Sequence, residues 1–164
     1  MKSVNVKVTL NGQALELAGA NNTMLVDTLR SRGLKGTKVS CDQGVCGSCT
    51  VLIDGTPAAA CMTPLFTIGG KRIESIEGLS VDGKLHPVQQ AFVECSAYQC
   101  GFCTSGMIML VKGLLDADPD PDRETIVRWL SSNICRCTGY APIFRAVARA
   151  RELLAQRRHG AAHG

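Results

Sequence analysis

Cys41-Asp42-Gln43-Gly44-Val45-Cys46-Gly47-Ser48-Cys49-Thr50-Val51-Leu52-Ile53-Asp54-Gly55 packs three cysteines and two glycines into its first nine residues, then becomes an apolar strand ending on a turn dipeptide. Asp-Gly favours the two-residue hairpin turn. The spacing therefore predicts strand 50–53, a turn at Asp54-Gly55, and a return over Ala58 to Met62 that carries Cys61 back beside the cysteine loop. Upstream, Val4, Val6, Val8 and Leu10 alternate with polar residues, Asn11-Gly12 is a second hairpin signal, and Leu15 and Leu17 resume the alternation. Asn22 or Thr23 can cap a helix with Met24, Leu25, Thr28 and Leu29 on one side, closed by Gly33. Lys71 to Ile76 reads as one more strand. Two hairpins, one helix and a final strand predict a β-grasp arrangement, a mixed sheet with the helix packed across it.

Beyond Glu77 the pattern changes. Residues 77–87 are rich in Gly, Ser, Asp and Lys, and every later segment has helical periodicity. The expected helices are Pro87 to Ala97, Ser105 to Ala117, Arg123 to Ser132 and Pro142 to Gln156. Pro87 and Pro142 fall in first turns, where a missing N–H costs least. The chain is thus expected to be α+β: an N-terminal β-grasp domain over 1–78, a linker over 79–86, a four-helix bundle over 87–156 and a flexible tail over 157–164.

The 164 residues include nine Cys but only one Trp, two Tyr and four Phe, so each half should have a thin core that leans on metal ligation. The N-terminus enters a strand pattern with no apolar leader, which argues against a secreted disulfide framework. No apolar run approaches the ~20 residues of a membrane span, and a cytoplasmic protein is expected. The formal charge of +4 treats cysteines as neutral. Eight thiolates on two oxidised 2Fe-2S clusters of about +2 each would contribute about −4 and cancel it, so no nucleic-acid partner is expected. Arg149, Arg151, Arg157 and Arg158 read as a solvated helix face and tail.

Cys41, Cys46 and Cys49 followed by Cys61 give C-x4-C-x2-C and a distant fourth cysteine, the plant-type 2Fe-2S spacing. Three ligands on one short loop demand tight turns, and Gly44 and Gly47 supply them while leaving room for N–H groups to point at sulfur. A four-thiolate zinc site is the alternative. A thioredoxin-type C-x2-C is disfavoured because no βαβ unit surrounds Cys46 and Cys49. Cys100 and Cys103, then Cys135 and Cys137, give C-x2-C and C-x-C. Cys103 precedes one expected helix and the other pair follows another, so an antiparallel arrangement can bring four thiolates together. The helix N-terminus and Arg136 would add positive potential there. Zinc again stays open on spacing alone.

The run Gln99-Cys-Gly-Phe-Cys-Thr-Ser-Gly-Met107 with Asn133-Ile-Cys-Arg-Cys-Thr-Gly-Tyr140 and the Cys41–Cys49 loop resembles the small iron-sulfur subunit of the xanthine oxidase family of molybdenum hydroxylases. That group includes xanthine and aldehyde oxidoreductases, carbon monoxide dehydrogenase and 4-hydroxybenzoyl-CoA reductase. The likeness spans Val4 to about Leu154. It implies that Cys100, Cys103, Cys135 and Cys137 hold the 2Fe-2S cluster nearer the molybdenum cofactor, and Cys41, Cys46, Cys49 and Cys61 the cluster nearer FAD. It implies a large molybdopterin-binding partner and a medium FAD-binding one, in a heterotrimer or a dimer of heterotrimers, with no catalytic residue on this chain. Gln99 and Cys137 resemble the residues that hydrogen-bond the pterin, although Gln99 also reads simply as a polar residue at a helix end. Ser105 stands where the family commonly has Pro, and is expected to serve as an N-cap.

Cys95 is expected as a small buried hydrophobe. His86, His159 and His163 are scattered and are not expected to be ligands. The leading expectation is an electron-transfer subunit of a molybdenum-containing oxidoreductase. A free-standing two-cluster redox carrier or sensor and a zinc-stabilised interaction module are the alternatives.

Overall fold

The computed structural model describes residues 3–161, with side chains described through residue 158. The alternation expected of the first strand is met by β1, Ser3–Leu10, in which Val6, Val8 and Leu10 are buried. It pairs antiparallel with β2, Gln13–Ala20, in a register that sets Leu10 opposite Gln13 across Asn11 and Gly12. Both turn residues have positive φ, 50° and 81°, as a two-residue hairpin turn requires. Helix α1, Leu25–Ser31, starts one residue later than expected. Met24 occupies its N-cap and no side chain caps it, which corrects the capping expectation for Asn22 or Thr23. Leu25 instead takes its place through a main-chain bond from its N–H to the Thr63 carbonyl, 2.8 Å.

Strand β3, Thr50–Ile53, turns at Asp54-Gly55 into β4, Thr56–Ala59, not Ala58 to Met62. The correction follows from the turn: two residues at φ 51° and 83° leave no slack, so Thr56 pairs with Ile53 immediately. Ala60–Met62 is then a 3-10 turn carrying Cys61. Strand β5, Arg72–Glu74, is shorter than expected and leads into a further 3-10 turn at Ile76–Gly78. The sheet order is β2-β1-β5-β3-β4, with β1 and β5 parallel and the other neighbours antiparallel. Pro57 is tolerated because β4 is an edge strand.

Four helices follow: α2, Pro87–Glu94; α3, Thr104–Ala117; α4, Arg123–Leu130; and α5, Ala141–Ala161. Pro87 and Pro142 sit in first turns as expected. His86 and Gln89 form a capping box at the start of α2, and the Asp122 carboxylate accepts from the Thr125 N–H at 2.7 Å to start α4. Helix α5 outruns the expected end at Gln156 and runs to Ala161, into the segment expected as tail. Arg157 lies on it and donates to the Leu85 carbonyl at 2.9 Å. Residues 162–164, including His163, lie outside the described residues, as does the side chain of His159. No described helix is long and apolar enough to cross a membrane.

Two apolar cores form. One joins Val6, Leu17, Leu29, Val51 and Ile73; the other joins Phe92, Met107, Leu130 and Val147. Strand β3 serves both, because Val51 enters the first core and Leu52 the second. A strand buried on both faces reads as a continuous apolar run, which is why Val51-Leu52-Ile53 shows no alternation. Helix α3 packs closely on the β3–β4 hairpin at Gly113, where a Cβ would lie 2.8 Å from Pro57 Cγ and 3.0 Å from Leu52 Cδ2. The cysteine loop before β3 and the start of α3 are thereby set against each other.

Candidate functional site

Gln43, Val45 and Cys46 each point a main-chain N–H at Cys41 Sγ, at 3.4 Å. Asp42 and Gly44, at φ 53° and 73°, turn the peptide units inward, and Gly47 at 68° makes the next bend. These donors stabilise the thiolate and hold the Cys41 pKa down at about 6. Cys61 arrives from the other side. The β3–β4 register pairs Thr50 with Ala59, and the Ala60 N–H then donates to the Cys49 carbonyl at 3.3 Å. Cys49 and Cys61 are both buried, and burial followed by the neighbouring Cys49 pushes the Cys61 thiol up to about 12. The four thiols therefore come as a half-exposed pair, Cys41 with Cys46, and a buried pair, Cys49 with Cys61.

The second set has the same division. Cys100 and Cys137 are exposed with their sulfurs 3.6 Å apart. Cys103, the N-cap residue of α3, lies against the buried Cys135, and burial followed by that neighbour pushes the Cys103 thiol up to about 12. Burial also acts to raise the Cys135 pKa, but hydrogen bonds from Thr138, Cys137 and Cys103 together outweigh it and the net shift is downward; the Cys135 and Thr138 side chains stand 3.1 Å apart. The Phe102 N–H lowers the Cys100 pKa, while the hydrogen bond with Cys100 raises that of Cys137. Tyr140 closes the loop. Its hydroxyl accepts from the Cys135 N–H at 3.0 Å and donates to the Asn133 carbonyl at 2.9 Å.

Among the described residues no group of three His, Cys, Asp or Glu side chains is placed to hold a single metal ion. Thiols arriving in twos suit a 2Fe-2S centre, which places two ligands on each of two irons. The donor set is all sulfur, and main-chain N–H groups already face Cys41. Both features fit an anionic iron-sulfur centre.

The two cysteine loops meet along a hydrogen-bonded seam. The Ile134 N–H donates to the Cys46 carbonyl at 2.9 Å, and Asn133 Nδ2 donates to the Gly47 carbonyl at 3.1 Å. Ser105 lies inside the first turn of α3, and its hydroxyl donates to the Gly36 carbonyl at 2.6 Å. The N-cap expectation for Ser105 is thus corrected: Cys103 holds that position, which frees the hydroxyl to tie the halves together. Glu77 anchors the same loop from the other side, accepting from the Gly36 N–H at 2.7 Å and the Ser75 hydroxyl at 2.6 Å.

Residues 36–94 match the model of a 2Fe-2S iron-sulfur cluster binding domain, and residues 75–148 that of a 2Fe-2S binding domain. The chain is 42% identical over 153 residues to the nicotinate dehydrogenase small FeS subunit of Eubacterium barkeri, covering 93% of this chain and 98% of that one. It is 41% identical over 149 residues to the xanthine dehydrogenase iron-sulfur-binding subunit of Escherichia coli, covering 89% and 93%. The crystal structure of quinoline 2-oxidoreductase from Pseudomonas putida contains a similar chain, with a TM-score of 0.89 at 41% identity, covering 96% of this chain and 98% of that one. The chain belongs to the small iron-sulfur subunits of the xanthine oxidase family of molybdenum hydroxylases.

In this small subunit Gln99 is exposed and is bonded to Cys100, whose sulfur lies 3.6 Å from that of Cys137. The apolar side chains of Tyr98, Phe102 and Ile134 are exposed on the segments that carry the second set. Val39, Val45 and Met62 are exposed on those that carry the first, Val45 by 61%. Cys95 ends α2, partly buried against the helical core, and His86 caps that helix. Arg136 is exposed. Sequence reading missed Asn133, Thr138 and Tyr140, which support the second set, and Thr50 and Gly106, which build the seam. The Asn-x-Cys-x-Cys-Thr-Gly-Tyr run contains the first three, but their partners become visible only when the loops are folded together.

Proposed function

We propose that this chain is the electron-transfer subunit of a heteromeric molybdenum hydroxylase, relaying electrons from a molybdopterin site on a large partner through two 2Fe-2S clusters to FAD on a medium partner. The observation that carries this reading is the repeated division of four thiols into an inner and an outer pair. When bound, each cluster supplies a one-electron couple. Cys41, Cys46, Cys49 and Cys61 hold one cluster, and Cys100, Cys103, Cys135 and Cys137 the other. In each set the more deeply buried thiols would anchor the group to the core, and the more exposed ones would hold it where a partner can approach. The N–H groups facing Cys41 stabilise negative charge on its sulfur.

Gln99 and Cys137 form the edge offered to the pterin of the molybdenum cofactor, a reading supported by their shared exposed position. The ferredoxin-like half ends near residue 78, residues 79–86 link the halves, and α2 to α5 act as a four-helix bundle. Packing of α5 on α2 and of α4 on α3 around one core supports that description. The assembly is a cytoplasmic heterotrimer, alone or in pairs.

Iron and acid-labile sulfide per chain, measured on the anaerobically purified complex together with low-temperature EPR after reduction, test the reading. About four iron and four sulfide with two distinct signals are expected. Zinc without sulfide would leave an interaction module, and a loaded chain that purifies alone would leave a free-standing carrier.

A further inference from the structure

Asn133 is 3% exposed and is not one of the proposed ligands, yet it is gripped by both cysteine loops. Its side chain belongs to the first. The Gly47 carbonyl accepts from Asn133 Nδ2 at 3.1 Å, from the Thr50 N–H at 3.1 Å and from the Thr50 hydroxyl at 2.7 Å. Asn133 Nδ2 also lies 3.3 Å from Thr50 Oγ1, and Asn133 Oδ1 lies over Gly47, where a Cβ would come within 1.8 Å of it. Turning the amide over would set Oδ1 against the Gly47 carbonyl, so the network fixes its orientation. Its main chain belongs to the second loop, through the Tyr140 hydroxyl that also receives the Cys135 N–H.

We propose that Asn133 is a positioning residue for electron exchange between the two clusters, holding the Cys46 carbonyl against the Ile134 N–H. That 2.9 Å bond joins a residue of the first thiol set to the residue bonded to Cys135 of the second. It makes a continuous route of covalent bonds and one hydrogen bond between the sets. Electronic coupling through such a route exceeds coupling across a gap. Asn133 directly precedes Ile134 and Gly47 directly follows Cys46, so the side-chain bond to the Gly47 carbonyl clamps the two loops one residue from the Ile134–Cys46 bond on each side. The inference rests on the two-cluster reading above.

The test uses the whole complex, native and with Asn133→Asp or Thr50→Val in this chain. Ionised aspartate keeps the shape of asparagine but has no proton to donate to the Gly47 carbonyl, so this variant is measured at a pH where the rate no longer changes with further alkalinity. Iron, sulfide and the two EPR signals are recorded first, then the rate of electron exchange between clusters after pulsed reduction and the low-temperature magnetic splitting between reduced clusters. Both variants should keep both clusters, and Thr50→Val should keep their midpoint potentials; the buried charge of Asn133→Asp should lower them, so its exchange rate is compared at the driving force measured for that variant. Asn133→Asp should slow exchange on the order of tenfold and narrow the splitting, with a smaller change for Thr50→Val. Native rate and splitting in a fully loaded Asn133→Asp complex would overturn the proposal. If Asn133→Asp fails to load, Thr50→Val decides: slower exchange supports the proposal, and the native rate overturns it. A native complex lacking two 2Fe-2S signals overturns the two-cluster reading itself, and that result is seen before any variant is compared.

Discussion

Gly106, in the first turn of α3, faces the Gly47 carbonyl so closely that a Cβ at position 106 would lie 2.2 Å from the oxygen and 3.1 Å from Ser48 Cα. Both neighbours are main chain, so neither can rotate away. Gly106→Ala must therefore push α3 off the first cysteine loop. Overpacking of this kind costs about 1–3 kcal/mol, and it falls on the seam. The denaturation midpoint should drop in the loaded protein. Magnetic splitting between the clusters should narrow as well, because α3 carries the Cys103 end of the second set. An unchanged midpoint would mean that the halves do not touch at this point.

Ser105 supplies the next test. Its hydroxyl crosses to the Gly36 carbonyl, and neither alanine nor proline can replace that donor. Ser105→Ala should cost about 1 kcal/mol, the ordinary net value of an internal hydrogen bond. Ser105→Pro should cost a similar amount, because a first-turn position tolerates proline. Comparison of urea midpoints checks this. A proline variant far less stable than the alanine variant would show that the local conformation, rather than the bridge, matters.

Lys112 joins the halves by charge. It lies on α3 with its side chain 14% exposed, and its ammonium reaches Glu74 of β5 at 3.1 Å and Asp116 at 2.6 Å. Burial alone would lower its pKa, but the hydrogen bonds to Asp116 and Glu74 prevail and the net shift is upward. A raised pKa means that the charged form favours the folded state. The stabilisation is fully present below the ordinary lysine pKa of about 10.4 and disappears as pH rises through the higher folded value. Lys112→Met should cost about 1–2 kcal/mol at neutral pH. The gap between native and variant stability should stay flat up to about pH 10 and close above it. A gap that closes on acidification alone would assign the effect to the carboxylates.

The hairpins were legible because Asn-Gly and Asp-Gly dipeptides impose their turns locally, and the first thiol set was legible because a loop constrains its own spacing. Non-local interactions hid the rest. Met24 starts α1 without a side-chain cap because the chain at Thr63 holds Leu25 in place from a distant part of the sequence. Helix α5 continues past Gln156 because nothing in residues 157–159 breaks a helix, while their charge density suggests a tail. Ser105 has the residue type of a cap, and only the nearby Gly36 carbonyl explains its place inside the turn. Asn133 is overshadowed in the sequence by the cysteines that follow it, and its own role depends on Gly47 and Thr50, which lie 86 and 83 residues earlier.

Gly44 permits the sharpest separation of the two sites. Its φ of 73° belongs to the left-handed region, and a Cβ there would meet only Met62, with Cγ at 2.8 Å, part of an exposed and flexible side chain. The steric cost of Gly44→Ala is therefore small, and the backbone cost is about 1–2 kcal/mol. That strain acts between Gln43 and Val45, whose N–H groups face Cys41 Sγ. Relaxation of the turn should lengthen those hydrogen bonds and remove stabilisation of negative charge on that sulfur. Reduction adds negative charge, so the cluster for which Cys41 is the proposed ligand should become harder to reduce. In an EPR-monitored redox titration of the complex, one midpoint should move down while the other stays in place. Movement of both midpoints would mean that the seam transmits the change, and movement of the second alone would reverse the assignment of signals to thiol sets.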